Sequence, residues 1–179
     1  MIQNITISKP LLKDIPILED FFKFILTDTF EKNGYLDLTE LRDSEIELKK
    51  EMLRQSLERE TSAHFFLVAK SEDGTLVGTI SVGPANEDIV ECTNSAYKDF
   101  LEIGSLFIHP AYQKQGIASG LIKEVEKLLL HEGIKSYCLD SGYQLAQKTW
   151  LQKFGKPQFL IKDHWGEGAD HMIWKVDIK

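Results

Sequence analysis

The sequence predicts an α/β protein in which helices cover both faces of a mixed β-sheet. Two segments with apolar residues at helical spacing, 11–32 and 37–60, follow a short β-like start. Two β-rich runs then flank Asp73-Gly74, a pair typical of hairpin turns. From residue 100 onward strands and amphipathic helices alternate, and helices placed between successive strands imply a sheet covered on both sides.

The first half of the chain predicts a strand, two helices and a hairpin. Isoleucines alternate imperfectly with polar residues over 2–10, which predicts a strand ending at Pro10. Asp14, with Pro16 after it, marks the start of the first helix, and the Asn-Gly-Tyr stretch at 33–35 ends it. The hairpin covers 63–84. The expected core positions of the two helices are Ile17, Phe21, Phe24, Ile25, Ile46, Met52, Leu53 and Leu57.

The second half predicts a loop followed by alternating strands and helices. Residues 85–97 are polar and predict the loop, and 100–110 is the strongest strand. A helix over 115–133 ends at Gly133 as the C′ glycine. Its expected inward residues are Ile117, Leu121, Ile122, Val125, Leu128 and Leu129. The remaining elements are a strand over 134–142, a helix over 143–155, and two final strands over 157–163 and 171–178.

Length and charge exclude several classes of protein. The 179 residues suffice for one core, so the whole chain, 1–179, is expected to be a single domain. A net charge of −7 argues against a nucleic-acid partner and leaves room for small amines or cationic peptides. Two cysteines form no disulfide framework, the N-terminus has no signal-peptide pattern, and no apolar run reaches about 18 residues. We therefore expect a cytoplasmic protein without a membrane partner.

The segment HPAYQKQGIASG, residues 109–120, joins the strongest strand to an amphipathic helix. The first N–H groups of a helix lack internal partners and the helix dipole is positive there, so such a turn can hold an anion. Gly116 would let the backbone approach a phosphate, and Lys114 adds a positive charge. The pattern matches neither the nucleotide P-loop nor G-x-G-x-x-G. An ordinary strand-to-helix turn, whose glycine relieves strain, explains this local pattern equally well.

The stretch EIGSLFIHPAYQKQGIASGLI resembles the central motif of the GCN5-related N-acetyltransferase (GNAT) superfamily. The family pattern Q/R-x-x-G-x-G/A reads here QKQGIA at 113–118, and the predicted elements follow the family's order over nearly the whole chain. The resemblance implies the acyl-CoA N-acyltransferase (GNAT) fold with a mostly antiparallel sheet, acetyl-CoA as co-substrate, and no metal. It also implies that backbone N–H groups of 114–119 hold the pyrophosphate, and that the end of the preceding strand pairs with the pantetheine amides. The expected acetyl-CoA contacts are Leu106, Phe107, Ile108, Gln113, Lys114, Gln115, Gly116, Ile117, Ala118, Ser119, Tyr143 and Trp150.

Acetyl transfer to an amine needs a base for the amine and an N–H donor for the thioester oxygen. Glu102, at the start of the strand that leads into the motif, resembles the glutamate base of some family members. The alternatives are a surface carboxylate at this position and a chain of water molecules acting as the base. The backbone N–H of Leu106 is the expected donor to the oxygen.

The acid that would protonate the leaving thiolate departs from the family pattern N-x-x-A-x-x-x-Y. Trp150 stands at the tyrosine position and Tyr143 at the asparagine position. An indole N–H donates a hydrogen bond but cannot supply a proton near neutral pH. Tyr143, Tyr112 or solvent would therefore substitute, or the thiolate leaves unprotonated. We expect Trp150 to pack against CoA or the sheet.

Other reactive side chains favour structural interpretations. Cys138 alternates with apolar neighbours on a buried-looking strand, which indicates a small buried hydrophobe rather than a nucleophile. Segment 162–174 carries acidic residues, two histidines and two tryptophans around its glycines, in spacings that match no metal site. It is either a turn between the last two strands or an acceptor loop in which Trp165 covers a cationic amine.

Together these inferences predict an N-acetyltransferase that moves acetyl from acetyl-CoA to a primary amine of a small molecule or peptide by direct attack. The alternative, favoured by the missing tyrosine, is a catalytically silent CoA-binding module that acts as a sensor or interaction partner. A homodimer is expected only from the resemblance, since members of the family often dimerise. The sequence does not name the acceptor.

Overall fold

A computed structural model describes residues 4–179, and its strands and α-helices follow the predicted order with one additional α-helix. The helices are α1 (Ile15–Lys32), α2 (Thr39–Glu58), α3 (Glu87–Cys92), α4 (Ile117–His131) and α5 (Gln144–Phe154). The strands are β1 (Thr6–Ser8), β2 (Phe65–Lys70), β3 (Leu76–Pro84), β4 (Leu101–Ile108), β5 (Ser136–Ser141), β6 (Phe159–Ile161) and β7 (His171–Asp177). Among the described residues, no helix combines the length and apolar character needed to cross a bilayer.

Within residues 4–179 the strands form a seven-stranded sheet in the order β1-β2-β3-β4-β5-β7-β6. The pairs β1–β2, β2–β3, β5–β7 and β6–β7 are antiparallel. β4 and β5 are parallel, with Glu102 opposite Cys138, and α4 supplies the crossover that a parallel pair requires. The predicted α/β fold with a mixed, mostly antiparallel sheet is therefore confirmed.

The chain divides into two compact units. The first comprises Met1–Val82 with Ser105–Leu128, and the second comprises Gly83–Gly104 with Leu129–Lys179. Each unit has a hydrophobic cluster of its own. The expectation that 1–179 forms a single domain stays a prediction.

The core of the first unit forms where α1 and α2 bury one face each against β2 and β3. Its buried residues are Leu18, Phe21, Phe22, Ile25, Leu53, Phe66, Val68 and Leu76. Met52 and Leu57 of α2 are half-buried and pack against this cluster, and Ile46 is buried, so the predicted inward face of α2 is confirmed.

The predicted inward face of α1 is partly wrong. Ile17 is 50% exposed and Phe24 is 47% exposed, whereas Leu18 and Phe22 are fully buried. The helix is apolar at adjacent positions, so two stripes one residue apart both satisfy helical spacing, and packing against the sheet selects one of them. The other two predicted positions in α1 are buried as expected.

The later elements carry two further corrections. In α4 the predicted Leu128 is 38% exposed, while the other five predicted positions are buried. Gly133 has a φ of +77° after the end of α4, as expected of a C′ glycine. Residues 85–97, predicted to be a loop, contain α3, which begins after Asn86 and buries Ile89 in the core of the second unit.

Candidate functional site

The turn between β4 and α4 is open and sharply bent. Lys114 has a φ of +60° and Gly116 a φ of +82°, directly before α4 begins at Ile117. Residues 113–116 are exposed, and nothing lies within 4 Å of the position that a Cβ on Gly116 would occupy. Left-handed residues next to a helix N-terminus favour concave arrangements of backbone N–H groups that accept anions. The residues present therefore fit an anionic group such as a pyrophosphate.

The glutamine side chains of the turn brace its backbone. Gln113 Nε2 donates to the carbonyl oxygen of Ile108 at 3.2 Å, and Gln115 Nε2 donates to that of Ala111 at 3.2 Å. His109 Nδ1 accepts from the Ala111 N–H at 3.2 Å, so this imidazole caps the short helical turn that follows β4.

The end of β4 uses its side chains for packing. Leu106, Phe107 and Ile108 are half-buried, and the Phe107 ring meets Phe22 edge-on with 6.0 Å between centroids. A Cβ on Gly78 of β3 would stand 2.9 Å from Ile108 Cδ1 and 3.2 Å from the Phe107 carbonyl oxygen, so a larger residue there would have to displace the end of β4 slightly. The expected pairing of the Leu106, Phe107 and Ile108 backbone with pantetheine stays a prediction.

The regular course of β4 is interrupted at Ser105, directly before Leu106. Ser105 has a φ of +47°, a left-handed conformation that costs a non-glycine residue about 1–3 kcal/mol. Its carbonyl oxygen accepts from Thr79 Oγ1 at 2.8 Å, and both residues are buried. Its own Oγ is buried without a hydrogen-bond partner among the described residues.

Glu102 is a half-buried carboxylate held by the start of α3. Its Oε2 accepts from the backbone N–H of Asn86 at 2.8 Å. Asn86 Nδ2 in turn donates to Asp140 Oδ2 at 3.1 Å. Sequence reasoning missed Asn86 and Asp140; an N-cap pattern marks the first, and no local pattern marks the second because its bond to Asn86 spans 54 residues.

Asp140 also anchors a buried imidazole. His171 is 3% exposed, and its Nε2 lies 3.0 Å from Asp140 Oδ2. Trp165 Nε1 donates to His171 Nδ1 at 3.1 Å. An indole N–H can only donate, so Nδ1 is unprotonated and Nε2 carries the proton that Asp140 accepts. A Cβ on Gly142 would stand 2.6 Å from Trp165 Nε1, so this glycine leaves room for the indole.

Segment 162–174 comprises the connection between β6 and β7, residues 162–170, and the first four residues of β7. Asp163 Oδ1 accepts from the Gly168 N–H at 2.6 Å, and Asp170 Oδ1 accepts from the Asp163 N–H at 3.0 Å. The His164 ring meets Trp165 edge-on at 4.6 Å, and Trp165 is 51% exposed. Across residues 4–179, no group of three metal-binding side chains comes together. The alternative of a turn accounts for the observed geometry, and a role in holding an acceptor stays a prediction.

Neither cysteine resembles an activated nucleophile. Burial, followed by the Glu102 and Asp140 carboxylates, raises the pKa of the Cys138 thiol to about 12. Burial, with Asp88 as the next cause, raises the pKa of Cys92. The thiol, not the reactive thiolate, is therefore the stable form of both. The prediction that Cys138 is a small buried hydrophobe is confirmed.

Trp150, at the position of the missing acid, lies in α5, and Tyr143 directly precedes this helix. Tyr143 is its N-cap residue, and the Tyr143 N–H donates to Ser141 Oγ at 3.2 Å. Trp150 is half-buried and stacks on Phe154, with 5.7 Å between ring centroids and 23° between planes. The same helix carries a polar residue that sequence reasoning missed, the buried Gln147. Its Nε2 donates to the Ser141 and Asp170 carbonyl oxygens at 2.8 and 2.9 Å.

A seven-stranded mixed sheet, with an open turn between its fourth strand and the following helix, is the architecture of the acyl-CoA N-acyltransferase class of fold. The model of the Acetyltransferase (GNAT) family matches residues 25–155, and the chain belongs to this family. The resemblance found in the sequence is thereby confirmed. A search of curated proteins found no match.

Solved structures share this fold over almost the whole chain. A GNAT-family protein from Desulfovibrio desulfuricans matches with a TM-score of 0.72 and 15% identity, over 98% of this chain and 100% of its own. The PaiA N-acetyltransferase from Thermoplasma acidophilum, in complex with coenzyme A, matches with a TM-score of 0.65 and 18% identity, over 97% of this chain and 99% of its own. The yncA protein from Salmonella typhimurium, with its cofactor acetyl-CoA, matches with a TM-score of 0.61 and 16% identity, over 98% of this chain and 95% of its own. At these identities the likeness shows the fold.

Proposed function

We propose that this protein transfers an acetyl group from acetyl-CoA to a primary amine of a small molecule or peptide by direct attack. The observation that carries the proposal is the open, left-handed turn at 114–116 before α4, in a chain of the GNAT family. Similar folds solved with coenzyme A and with acetyl-CoA support it. When bound, acetyl-CoA would supply the acetyl group as an activated thioester.

The residues that would hold acetyl-CoA are those of the turn and the end of β4. Backbone N–H groups of 114–119 would bind the pyrophosphate, and Lys114 would add charge. The backbone of Leu106, Phe107 and Ile108 would pair with the pantetheine amides. Tyr143 and Trp150 are proposed as further contacts, and no metal takes part in the proposal.

The chemistry would be carried by Glu102, Leu106 and Tyr143. Glu102 would take a proton from the amine nitrogen, directly or through water, with its Oε2 oriented by the Asn86 N–H. The Leu106 N–H would donate to the thioester oxygen as negative charge develops there. The Tyr143 hydroxyl, or solvent in its place, would give a proton to the departing sulfur.

The charges around Glu102 favour a cationic acceptor. Two carboxylates, Glu102 and Asp140, bond to the same residue, Asn86, and carboxylates give their surroundings a negative potential. A protonated amine is attracted by such a potential and then loses its proton to the base. A cytoplasmic location, a homodimer, and the absence of nucleic-acid and membrane partners remain part of this proposal.

The second candidate is a CoA-binding module without catalysis, acting as a sensor or interaction partner. It is favoured by Trp150, which stands at the position of the family's tyrosine and stacks on Phe154. A module of this kind would keep the turn at 114–119 and release no thiol.

The experiment that tests the proposal measures thiol release from acetyl-CoA with a panel of amines, beside thermal unfolding with acetyl-CoA. Turnover with one amine class, lost in Glu102→Gln, is the expected result. Stabilisation without turnover would favour the binding module. If acetyl-CoA gives no stabilisation and no turnover is seen, both candidate functions are refuted, because each of them requires the turn to bind acetyl-CoA.

A further inference from the structure

Asn86 connects three separate groups of the second unit. Its backbone N–H donates to Glu102 Oε2 at 2.8 Å, and its Oδ1 accepts from the Ile89 N–H at 2.9 Å. Its Nδ2 donates to Asp140 Oδ2 at 3.1 Å. The same residue therefore starts α3, binds the candidate base, and reaches across to β5.

The far end of this chain of bonds is rigid. Asp140 Oδ2 receives a second N–H from His171, whose ring is buried and whose other nitrogen accepts from the Trp165 indole. Both ring nitrogens of His171 are thus occupied, and the ring cannot turn without losing both bonds. The Asn86 amide is consequently bonded to an acceptor that is itself fixed.

An N-cap role alone does not require an asparagine at position 86. Serine, threonine and aspartate cap helices about as well, because only a side-chain oxygen is needed. The Nδ2 bond to Asp140 is the contact that asparagine adds. It fixes the residue from a second side, at a φ of −69° and a ψ of 169°, the conformation in which its N–H meets Glu102.

We propose that Asn86 is a positioning residue that holds the Glu102 carboxylate in the orientation needed for acetyl transfer, with Asp140 and His171 as its anchor. This inference rests on the proposed function. A glutamate side chain has several rotatable bonds, and a base displaced by about 1 Å can lose about a hundredfold in rate. Asn86 touches Glu102 rather than a reacting atom, so it acts through the base.

The test compares two variants that weaken α3 at opposite ends. Asn86→Ser keeps a capping oxygen and loses the bond to Asp140. Thr93→Val is the matched control: it loses the buried hydroxyl that donates to the Ile89 carbonyl oxygen at 2.8 Å and accepts from the Tyr97 N–H at 3.2 Å. We expect kcat to fall about 10- to 100-fold in Asn86→Ser, with the KM for acetyl-CoA unchanged. Thr93→Val lowers the melting temperature and keeps kcat.

A second measurement does not depend on turnover. Hydrogen exchange of the residue-86 amide reports its bond to Glu102, and we expect protection to fall at least about tenfold in Asn86→Ser and in Asp140→Ala. The double variant should lose no more than the larger single loss, because both substitutions break the same contact.

The two proposals fail in different ways. The positioning role is overturned if the wild type turns over and Asn86→Ser has the same kcat. It is also overturned if Thr93→Val lowers kcat as much as Asn86→Ser does. Both results leave the proposed acetyltransferase activity unaffected. Unchanged amide protection in Asn86→Ser overturns it whether or not turnover is seen. No turnover with any amine refutes the proposed function, and lost protection in that case still supports the contact by which Asn86 orients Glu102.

Discussion

Replacing Gly116 with glutamate should separate acetyl-CoA binding from folding. The residue has a φ of +82°, and nothing stands within 4 Å of the added Cβ, so the side chain starts in open space. The folding cost is then the left-handed backbone alone, about 1–2 kcal/mol. For a chain of this size that corresponds to a fall in melting temperature of about 2–8 °C.

The binding cost comes from charge. For a carboxylate on residue 116 and a bound phosphate, taking a separation of about 6 Å, one pair of unit charges repels by about 0.7 kcal/mol in bulk water. Two phosphate charges double this to about 1.4 kcal/mol, a loss of about tenfold in affinity. The lower effective dielectric near a protein surface makes the loss larger.

Gly74 supplies the matched control. It has a φ of +85° in the β2–β3 turn, again with nothing within 4 Å of an added Cβ. Gly74→Glu therefore adds the same strain and charge in a different turn, outside residues 113–119. Calorimetric titration with acetyl-CoA should show at least about tenfold weaker binding in Gly116→Glu and wild-type binding in Gly74→Glu. Equal affinity in the two variants would show that the turn does not bind the pyrophosphate.

Three further predictions concern stability and reactivity. The N–H of Leu11, followed by Lys70, lowers the pKa of Asp14. Asp14→Asn should therefore lower the free energy of unfolding by about 1 kcal/mol at neutral pH and leave it unchanged once acid protonates the carboxyl. Urea unfolding at both pH values measures this difference, and a loss of stability that persists in acid would contradict the prediction. The native Cys138 thiol, with its pKa of about 12, should resist alkylation at pH 8 until urea unfolds the chain, as mass spectrometry would show; labelling at the rate of a free thiol would contradict its burial. Gly142→Ala should displace the Trp165 indole and break its hydrogen bond to His171, which would lower the free energy of unfolding by about 1–3 kcal/mol. A lower melting temperature and changed tryptophan fluorescence are the expected results. Unchanged fluorescence would mean that the alanine is accommodated without moving the indole.

The elements most reliably predicted from sequence are those with a long, single pattern. The hairpin at Asp73-Gly74, β4 and α4 lie where their turn residues and apolar periods put them. The inward face of α1 was ambiguous because Ile17 and Leu18 both belong to helical stripes, and only packing separates them. The six residues of α3 are too few to show a period.

In the candidate site too, local features could be predicted from the sequence and long-range contacts could not. A local motif marks the turn around Gly116, because its chemistry depends on adjacent backbone groups. The contacts of Glu102 with Asn86, and of Asn86 with Asp140, join residues 16 and 54 positions apart, and no single-sequence pattern encodes such distances. The composition of segment 162–174 is unusual, but the bond from its His171 to Asp140 depends on the β5–β7 register.

The interleaving of the two units in the chain has a consequence for folding during synthesis. All residues of the first unit have been translated once Leu128 has been added, although residues 83–104 in between belong to the second. The second unit waits for β7, which pairs with β5 over the whole span from Ser136 to Ser141. Until β7 has left the ribosome, β5 presents an unpaired edge containing buried apolar residues, and such edges attract other nascent chains. The β5–β7 pairing is therefore the step at which a chaperone would have most to protect.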